Sequence, residues 1–273
     1  MKGIHNNKLI RPIFMKALKI LDFDISIKHH WTSLAFKLNL FKHKGYWYHG
    51  KKRENSTMRL FGSLIDIGDT VVEVGGHIGY ISLYFSKLVG HKGGVIVFEP
   101  GNNNIPYISK NIENIENIRL IKKAVGDFSG EIDFFEDNLT GQNNSIVENF
   151  EGFIENSKAS YVKSEVVKTL APIVTLDSEL NQKIDFIKID IEAGEYKALL
   201  GASQLIERQQ PILMVEIQAD ESKIYNMLDK FGYLLFTPEL NKVSASEGLA
   251  GNIFCLHNIK HKNLIEKYFV KNR

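Results

Sequence analysis

From about residue 71 onward, short runs of β-branched and aromatic residues alternate with longer stretches whose apolar positions recur every three to four residues. That rhythm predicts strands and helices threaded into a mostly parallel, doubly wound α/β sheet. Strands are predicted at 71–74, 95–99, 118–122, 186–190 and 212–217, and helices at 78–88, 103–114, 195–209 and 222–231. Two more strands, 233–236 and 252–257, flank a turn-rich stretch with Pro238, Asn241 and Gly248 and predict a closing antiparallel hairpin. Residues 126–181 hold too much chain for one connection. An insertion is expected there, with an edge strand at 131–135, a polar loop at 140–145 and a strand near 173–176. The loop is a candidate substrate lid carrying Gln142, Asn143, Asn144 and Ser145; a solvated turn explains it equally well. At the other end, Phe14, Ala17, Leu18 and Leu21 recur at helical spacing and predict an N-terminal helix over 13–20.

Composition narrows the class. A chain of 273 residues, 44% hydrophobic and 24% charged, has the apolar material for one large core. Its single cysteine, Cys255, excludes an intramolecular disulfide and a Cys-cluster zinc site, and its apolar neighbours make it core filler. A net charge of +2 argues against wholesale nucleic-acid binding, yet residues 1–53 carry twelve Lys/Arg against only Asp22 and Asp24. The division that follows is a basic helical extension over 1–56 and an α/β domain over 57–273. The extension's basic face leaves peripheral contact with an anionic membrane open, although packing on the core or on a second copy of the chain is the plainer reading. No apolar stretch approaches the roughly 20 residues a membrane span needs, and the start lacks a signal-peptide pattern, so a cytoplasmic protein is expected.

The strongest local signal is Val71-Val72-Glu73-Val74-Gly75-Gly76-His77-Ile78-Gly79-Tyr80, an apolar strand running into glycines and then a helix. Gly75 and Gly76 let the backbone turn and approach a ligand, Gly79 lets the helix pack on the sheet, and helix N-terminal amides suit a carboxylate or a phosphate. His77 and Ile78 break the G-x-G-x-x-G spacing of a dinucleotide site, and no Walker G-K-S/T follows. Glu99 ends the next strand, where an acid can accept both hydroxyls of a ribose. Val125 and Asp127, in Ala124-Val125-Gly126-Asp127, follow the third strand, where amides and an acid can meet an adenine edge. A nucleoside site spread over three strand tips results, with Glu73, Gly75, Gly76, His77, Gly79, Tyr80, Glu99, Val125, Asp127 and Asp190 as cofactor candidates.

These segments, together with Val174-Thr175-Leu176-Asp177, Ile187-Lys188-Ile189-Asp190-Ile191-Glu192 and Glu216, resemble the FkbM family of methyltransferases over roughly residues 60–220. The chain departs from the usual family pattern with Glu73, Gly76 and His77 in the first motif and Ala193-Gly194 before Glu195 in the later one. The resemblance implies a Rossmann-like class I methyltransferase fold, S-adenosyl-L-methionine as cofactor, and O-methylation of a sugar, glycolipid or secondary metabolite. Asp190 is the candidate for placing cofactor and acceptor, Glu192 the candidate base, and Glu216 a substrate contact. A divalent ion among Asp190, Glu192 and Glu216 is the less favoured reading, and Glu195 reads as a helix-start acid. His29-His30 read as surface residues, and Tyr46-Trp47-Tyr48 as core packing ahead of a sugar-stacking platform. No Asn/Asp-Pro-Pro-Tyr element follows the fourth strand, which disfavours base N-methylation. The rival readings are an NAD(P)-dependent oxidoreductase and a non-enzymatic module binding nucleic acid or anionic membrane. Self-association stays open.

Overall fold

The computed structural model describes residues 10–244 and 248–269. The amphipathic N-terminal pattern forms α1 (Ile10–Ile20). The segment behind it holds more than helix: β1 (Asp24–Lys28) and β2 (Ala35–Asn39) pair as an antiparallel hairpin before α2 (Lys44–His49) and α3 (Asn55–Leu64). Period-two spacing explains the hairpin, because Ile25 and Ile27 on one arm and Phe36 and Leu38 on the other share a face. Phe36 and Leu38 are fully buried in one cluster with Phe61, Phe85 and Phe254, so the basic segment is packed onto the α/β core. Lys2 and Lys8 lie outside the described residues.

The chain continues through β3 (Thr70–Val74), α4 (Tyr80–Val89), β4 (Gly94–Phe98), α5 (Ile105–Ile112) and β5 (Ile118–Ile121). The insertion follows as β6 (Ala124–Val125), β7 (Gly130–Asp137), α6 (Glu151–Ser160) and β8 (Val166–Val174), a separate three-stranded sheet of order β6-β8-β7. The remaining elements are α7 (Leu176–Glu179), β9 (Phe186–Ile189), α8 (Glu195–Leu200), α9 (Ser203–Gln209), β10 (Ile212–Ile217), α10 (Glu221–Lys230), β11 (Tyr233–Phe236), β12 (Lys242–Val243), β13 (Gly251–His257) and α11 (Lys262–Tyr268).

The main sheet has the order β12-β11-β13-β10-β9-β3-β4-β5. Strands β10, β9, β3, β4 and β5 are parallel, while β13 runs antiparallel to both β10 and β11. Both faces are covered, which is why these strands read as continuous apolar runs. Val71 and Phe186 enter one core cluster, and Val72, Val74, Ile187 and Ile189 enter the other. The chain steps outward from β3 to β5 and then restarts on the opposite side of β3 with β9. Winding therefore reverses between β3 and β9, and the crevice beyond their carboxyl ends is where such folds bind ligands.

Two predicted elements differ. The helix expected over 195–209 breaks at Gly201 and Ala202, where the Gly201 carbonyl accepts the Asp177 N–H at 2.9 Å and a Cβ at 201 would lie 1.9 Å from the Gly126 carbonyl oxygen. Asp177 then accepts the backbone N–H of Gln204 (3.1 Å) and Leu205 (2.8 Å) and starts α9 afresh. The strand expected near 173–176 is longer and ends earlier, since the Thr175 side chain accepts the N–H of Ser178 and caps α7. Among the described residues no helix is long and apolar enough to cross a membrane.

Candidate active site

A cavity of about 210 Å³ opens at the reversal point. The turn after β3 forms its floor. Gly75 adopts φ +88°, and the N–H groups of Gly75 and Gly76 both donate to the Phe98 carbonyl, at 3.0 and 3.1 Å. A Cβ at Gly75 would fall 1.9 Å from the Asp190 carbonyl oxygen, and one at Gly76 would fall 2.3 Å from Val97 Cγ1. The glycines are thus required by the close approach of β9 and β4 before any ligand enters. Gly79 (φ +85°) faces Ile108 of α5 and does not line the cavity. Tyr80 does line it, and is held from behind by the β1–β2 turn. His29, buried, donates from Nε2 to the Tyr80 carbonyl at 2.9 Å, and His30 Nδ1 lies 3.0 Å from the Tyr80 hydroxyl. The surface reading of this histidine pair is corrected on that point: the half-turn around Trp31 and Thr32 folds back so that His29 Nδ1 accepts their N–H groups.

The centre of the site is Lys188. Register places it opposite Glu73 and two residues before Asp190, with all three on one face of the strands. Its side chain is 1% exposed, and the ammonium lies 2.9 Å from Asp190 Oδ2, 3.7 Å from Glu73 Oε1 and 3.3 Å from the Gly75 carbonyl. Burial disfavours the charge on Lys188, but Asp190 and Glu73 outweigh it and hold the amine protonated. Burial likewise opposes ionisation of Asp190, yet Lys188 and a hydrogen bond from Glu216 bring it down to about 2. Glu216 is pushed strongly up by that neighbouring carboxylate, so it keeps its proton and donates a hydrogen bond to Asp190. Glu73, fully buried and receiving the Ser82 hydroxyl at 2.5 Å, is raised to about 7 by burial. Glu192, raised to about 8 by burial and then by Asp190, completes the wall. Among the described residues no group of His, Cys, Asp and Glu is arranged to hold a metal ion. The Lys188 ammonium lies between the Glu73 and Asp190 carboxylates.

At the tip of β4, Glu99 is buried and already engaged. Oε2 accepts the His77 N–H (2.7 Å), and Oε1 accepts the Gly101 N–H (2.8 Å) and Asn104 Nδ2 (3.2 Å). A carboxylate offers about four acceptor sites, so Glu99 retains room for one more donor. The buried Asn104 Oδ1, in the same wall, has no hydrogen-bond partner among the described residues. Val125 lines the cavity as expected for the third tip, whereas Asp127 is exposed and does not. The strand β6 ends at Val125, and Gly126 donates to the Val174 carbonyl, which turns the chain away before Asp127.

The roof comes from the insertion and from the N-terminal segment. Gln142, Asn143, Asn144 and Ser145 all line the cavity, although Asn144 and Ser145 spend their side chains anchoring the loop. Asn144 Oδ1 accepts the Asp137 N–H (2.8 Å), and Ser145 Oγ donates to the Glu192 carbonyl (2.6 Å). His77, at φ +47°, donates from Nε2 to the Thr140 carbonyl (3.3 Å), which leaves Nδ1 to accept the Tyr46 hydroxyl (2.9 Å). Burial keeps that ring neutral, with its pKa lowered to about 3. Arg53 lies 4.6 Å over the Tyr46 ring and 3.2 Å from Glu54. Burial works against its charge, but Tyr46, Glu54, Asp190 and Glu216 raise its pKa. Arg53, Tyr46, Asn104 and Lys188 were missed or undervalued from sequence. Only Lys188 carried a signal, a lysine inside an apolar strand, which must be paired when buried. Glu195 does not line the cavity; it accepts the Ala193 N–H at 3.2 Å at the start of α8. Ala193 itself stands at φ +61°, a left-handed position where glycine is easier.

The family model described as the methyltransferase FkbM domain matches residues 73–235, more than half of the chain. The chain belongs to the FkbM methyltransferase family. Tyr46, Arg53 and Glu54 lie before the matched region, so this FkbM-family chain completes its cavity with residues from outside the shared domain. Among solved structures it is similar to the FkbM methyltransferase of Methylobacillus flagellatus KT (16% identity, TM-score 0.49, covering 79% of this chain and 51% of that one). It thus spans about half the length of that structure. It is also similar to an S-adenosylmethionine-dependent methyltransferase from Aquifex aeolicus (13% identity, TM-score 0.40, covering 89% and 98%). Aeropyrum pernix fibrillarin in complex with S-adenosyl-L-methionine gives 13% identity and a TM-score of 0.40, covering 74% of each chain. No curated protein matches the chain.

Proposed function

We propose that this chain transfers a methyl group from S-adenosylmethionine to a hydroxyl of a sugar, glycolipid or secondary metabolite. One observation carries the reading. At the reversal point the ionised Asp190 and the carboxyl oxygens of Glu73, Glu99, Glu192 and Glu216 gather around the glycine turn in one cavity, a set of acceptors that suits the hydroxyls of a nucleoside and the positive edge of a sulfonium. Glu99 and Asn104 would hold the ribose hydroxyls, the turn from Gly75 to Ile78 the methionine end, and Val125 the purine. Bound there, the cofactor supplies an electrophilic methyl group.

The chain's own residues do the rest. Lys188 keeps Asp190 ionised, and Asp190 with Glu216 forms a fixed polar edge against which cofactor and acceptor are aligned; such orientation is a large part of the rate. Glu192 takes the acceptor's proton. A base is most effective when its pKa lies near the working pH, and burial has moved this carboxyl to about 8. A carboxylate base suits a hydroxyl. After β9 the chain reads Asp190-Ile191-Glu192-Ala193, without the prolines that would present carbonyls to an exocyclic amine.

Calorimetric titration of the full chain with S-adenosylmethionine, NADH and NADPH tests the reading. Saturable binding of S-adenosylmethionine alone is expected, followed by labelled methyl transfer to hydroxyl acceptors. Binding of a nicotinamide cofactor in its place would overturn it.

A further inference from the structure

Beside the first cavity lies a second, of about 250 Å³, enclosed by α1, α2 and α6. Its apolar wall is Phe14, Met15 and Leu18 from α1 and Trp47 from α2, and its cations are Arg11, Lys42 and Lys44. Among the described residues no carboxylate lines it. Lys44 is the most telling of these groups. Its ammonium lies 4.7 Å over the Phe41 ring and has no ion-pair partner among the described residues. Burial, and after it the neighbouring Arg11, lowers its pKa to about 8, with Asp137 opposing. The Asp137 carboxylate is already taken by the Leu139 N–H, Thr140, Asn156 and Ser164. An unpaired, largely buried cation beside an apolar wall fits an anion attached to hydrocarbon.

Two further features say where that ligand comes from and where it leads. Gln142 lines both cavities, and Thr140, in the second, accepts the hydrogen bond from His77 of the first. On its outer side α1 exposes Ile13 (70%) and Ile20 (84%) beside the exposed Lys16 and Lys19, and Leu21 and Phe23 continue the apolar surface. The helix thus turns one apolar face into the cavity and another outward among lysines, the pattern of a helix lying at an anionic bilayer surface.

We propose that the second cavity is an anchoring site for the phosphate and first carbons of a lipid-borne acceptor, with α1 at the bilayer surface and the acceptor's hydroxyl reaching past Gln142. The assignment of the hydroxyl end rests on the methyl-transfer reading; the phosphate-amphiphile site does not.

Trp47 provides the test. In a Trp31→Phe background of the full chain, its fluorescence is titrated with monododecyl phosphate below the aggregation concentration. A saturable change is expected, weakened about tenfold by Lys44→Gln or Arg11→Gln. Dodecanol binding as tightly as monododecyl phosphate, or unchanged affinity in Lys44→Gln, overturns the proposal. Inorganic phosphate binding as tightly as the amphiphile overturns the lipid source. Co-sedimentation of the parent chain with phosphatidylcholine vesicles is expected only when they contain phosphatidic acid; equal sedimentation with and without it counts against the bilayer role of α1. S-adenosylmethionine affinity, measured on the same samples, is expected to be unchanged in both variants. A chain that binds the amphiphile but not S-adenosylmethionine refutes the methyl-transfer reading and leaves this site standing.

Discussion

Replacing Lys188 with Met removes the buried cation that pairs with Asp190 and Glu73. Asp190 sits at about 2 in the folded chain against 3.8 for a free side chain. The stabilisation that gap represents comes from Lys188 and from the Glu216 hydrogen bond together. Its sign is that of a depressed acid: present above pH 3.8 and lost as pH falls through about 2. Glu73, 3.7 Å from the same ammonium, loses its partner as well. Removing one member of a buried ion pair costs about 3–5 kcal/mol, which in a chain of this size lowers the melting temperature by roughly 10 °C. In Lys188→Met the folded pKa values of Asp190 and Glu73 rise, so the variant's stability is greatest at low pH and is lost as pH rises through them. Differential scanning calorimetry at pH 5 and pH 8 therefore shows a larger deficit at pH 8. Adding Asp190→Asn to the variant recovers part of it. A Lys188→Met protein that melts within about a degree of the parent at both pH values would refute the claim that this lysine neutralises the site.

Other outcomes follow from neighbouring residues. Glu192→Gln lowers turnover by about 10²–10⁴-fold with S-adenosylmethionine affinity unchanged; in the parent, the rate climbs as pH rises through about 8 and then levels, since the raised carboxyl must ionise to act. A flat pH profile together with unchanged turnover removes Glu192 from the base role. Asn104→Ala weakens S-adenosylmethionine binding by about tenfold, measured calorimetrically, and equal affinity means that Asn104 Oδ1 is not a ribose acceptor. Gly75→Ala places a Cβ 1.9 Å from the Asp190 carbonyl oxygen at φ +88°, and the left-handed backbone alone costs about 1–2 kcal/mol; a melting temperature equal to the parent's would contradict the close approach of β3 and β9.

Much of this was legible in the chain. The strands of the main sheet announce themselves as apolar runs because both of their faces are buried, and Gly75 and Glu99 stand at strand ends that the runs themselves delimit. The N-terminal segment was harder. Its excess of Lys and Arg reads as a solvated extension, and nothing local tells that Phe36 and Leu38 reach the core or that Tyr46 and Arg53 close a cavity whose other wall is some 140 positions away in sequence, at Asp190. Such contacts are set by packing between distant elements, which periodicity does not encode. The break at Gly201 is of the same kind, since the groups that meet it, Gly126 and Asp177, are remote in sequence. Lys188 is intermediate: its position in an apolar strand predicts a buried partner, but only register names Glu73. Asp127 misled because turn acids attract attention, while the backbone had already left the cavity at Gly126.

The imidazole of His77 joins three stretches of chain that are remote in sequence: the glycine turn it belongs to, Tyr46 and Thr140. With its pKa near 3, no ordinary change in acidity unfastens this joint. The wall these three stretches build around the chamber therefore keeps its shape across the ordinary range of acidity, and a molecule entering it meets the same outline whatever the pH.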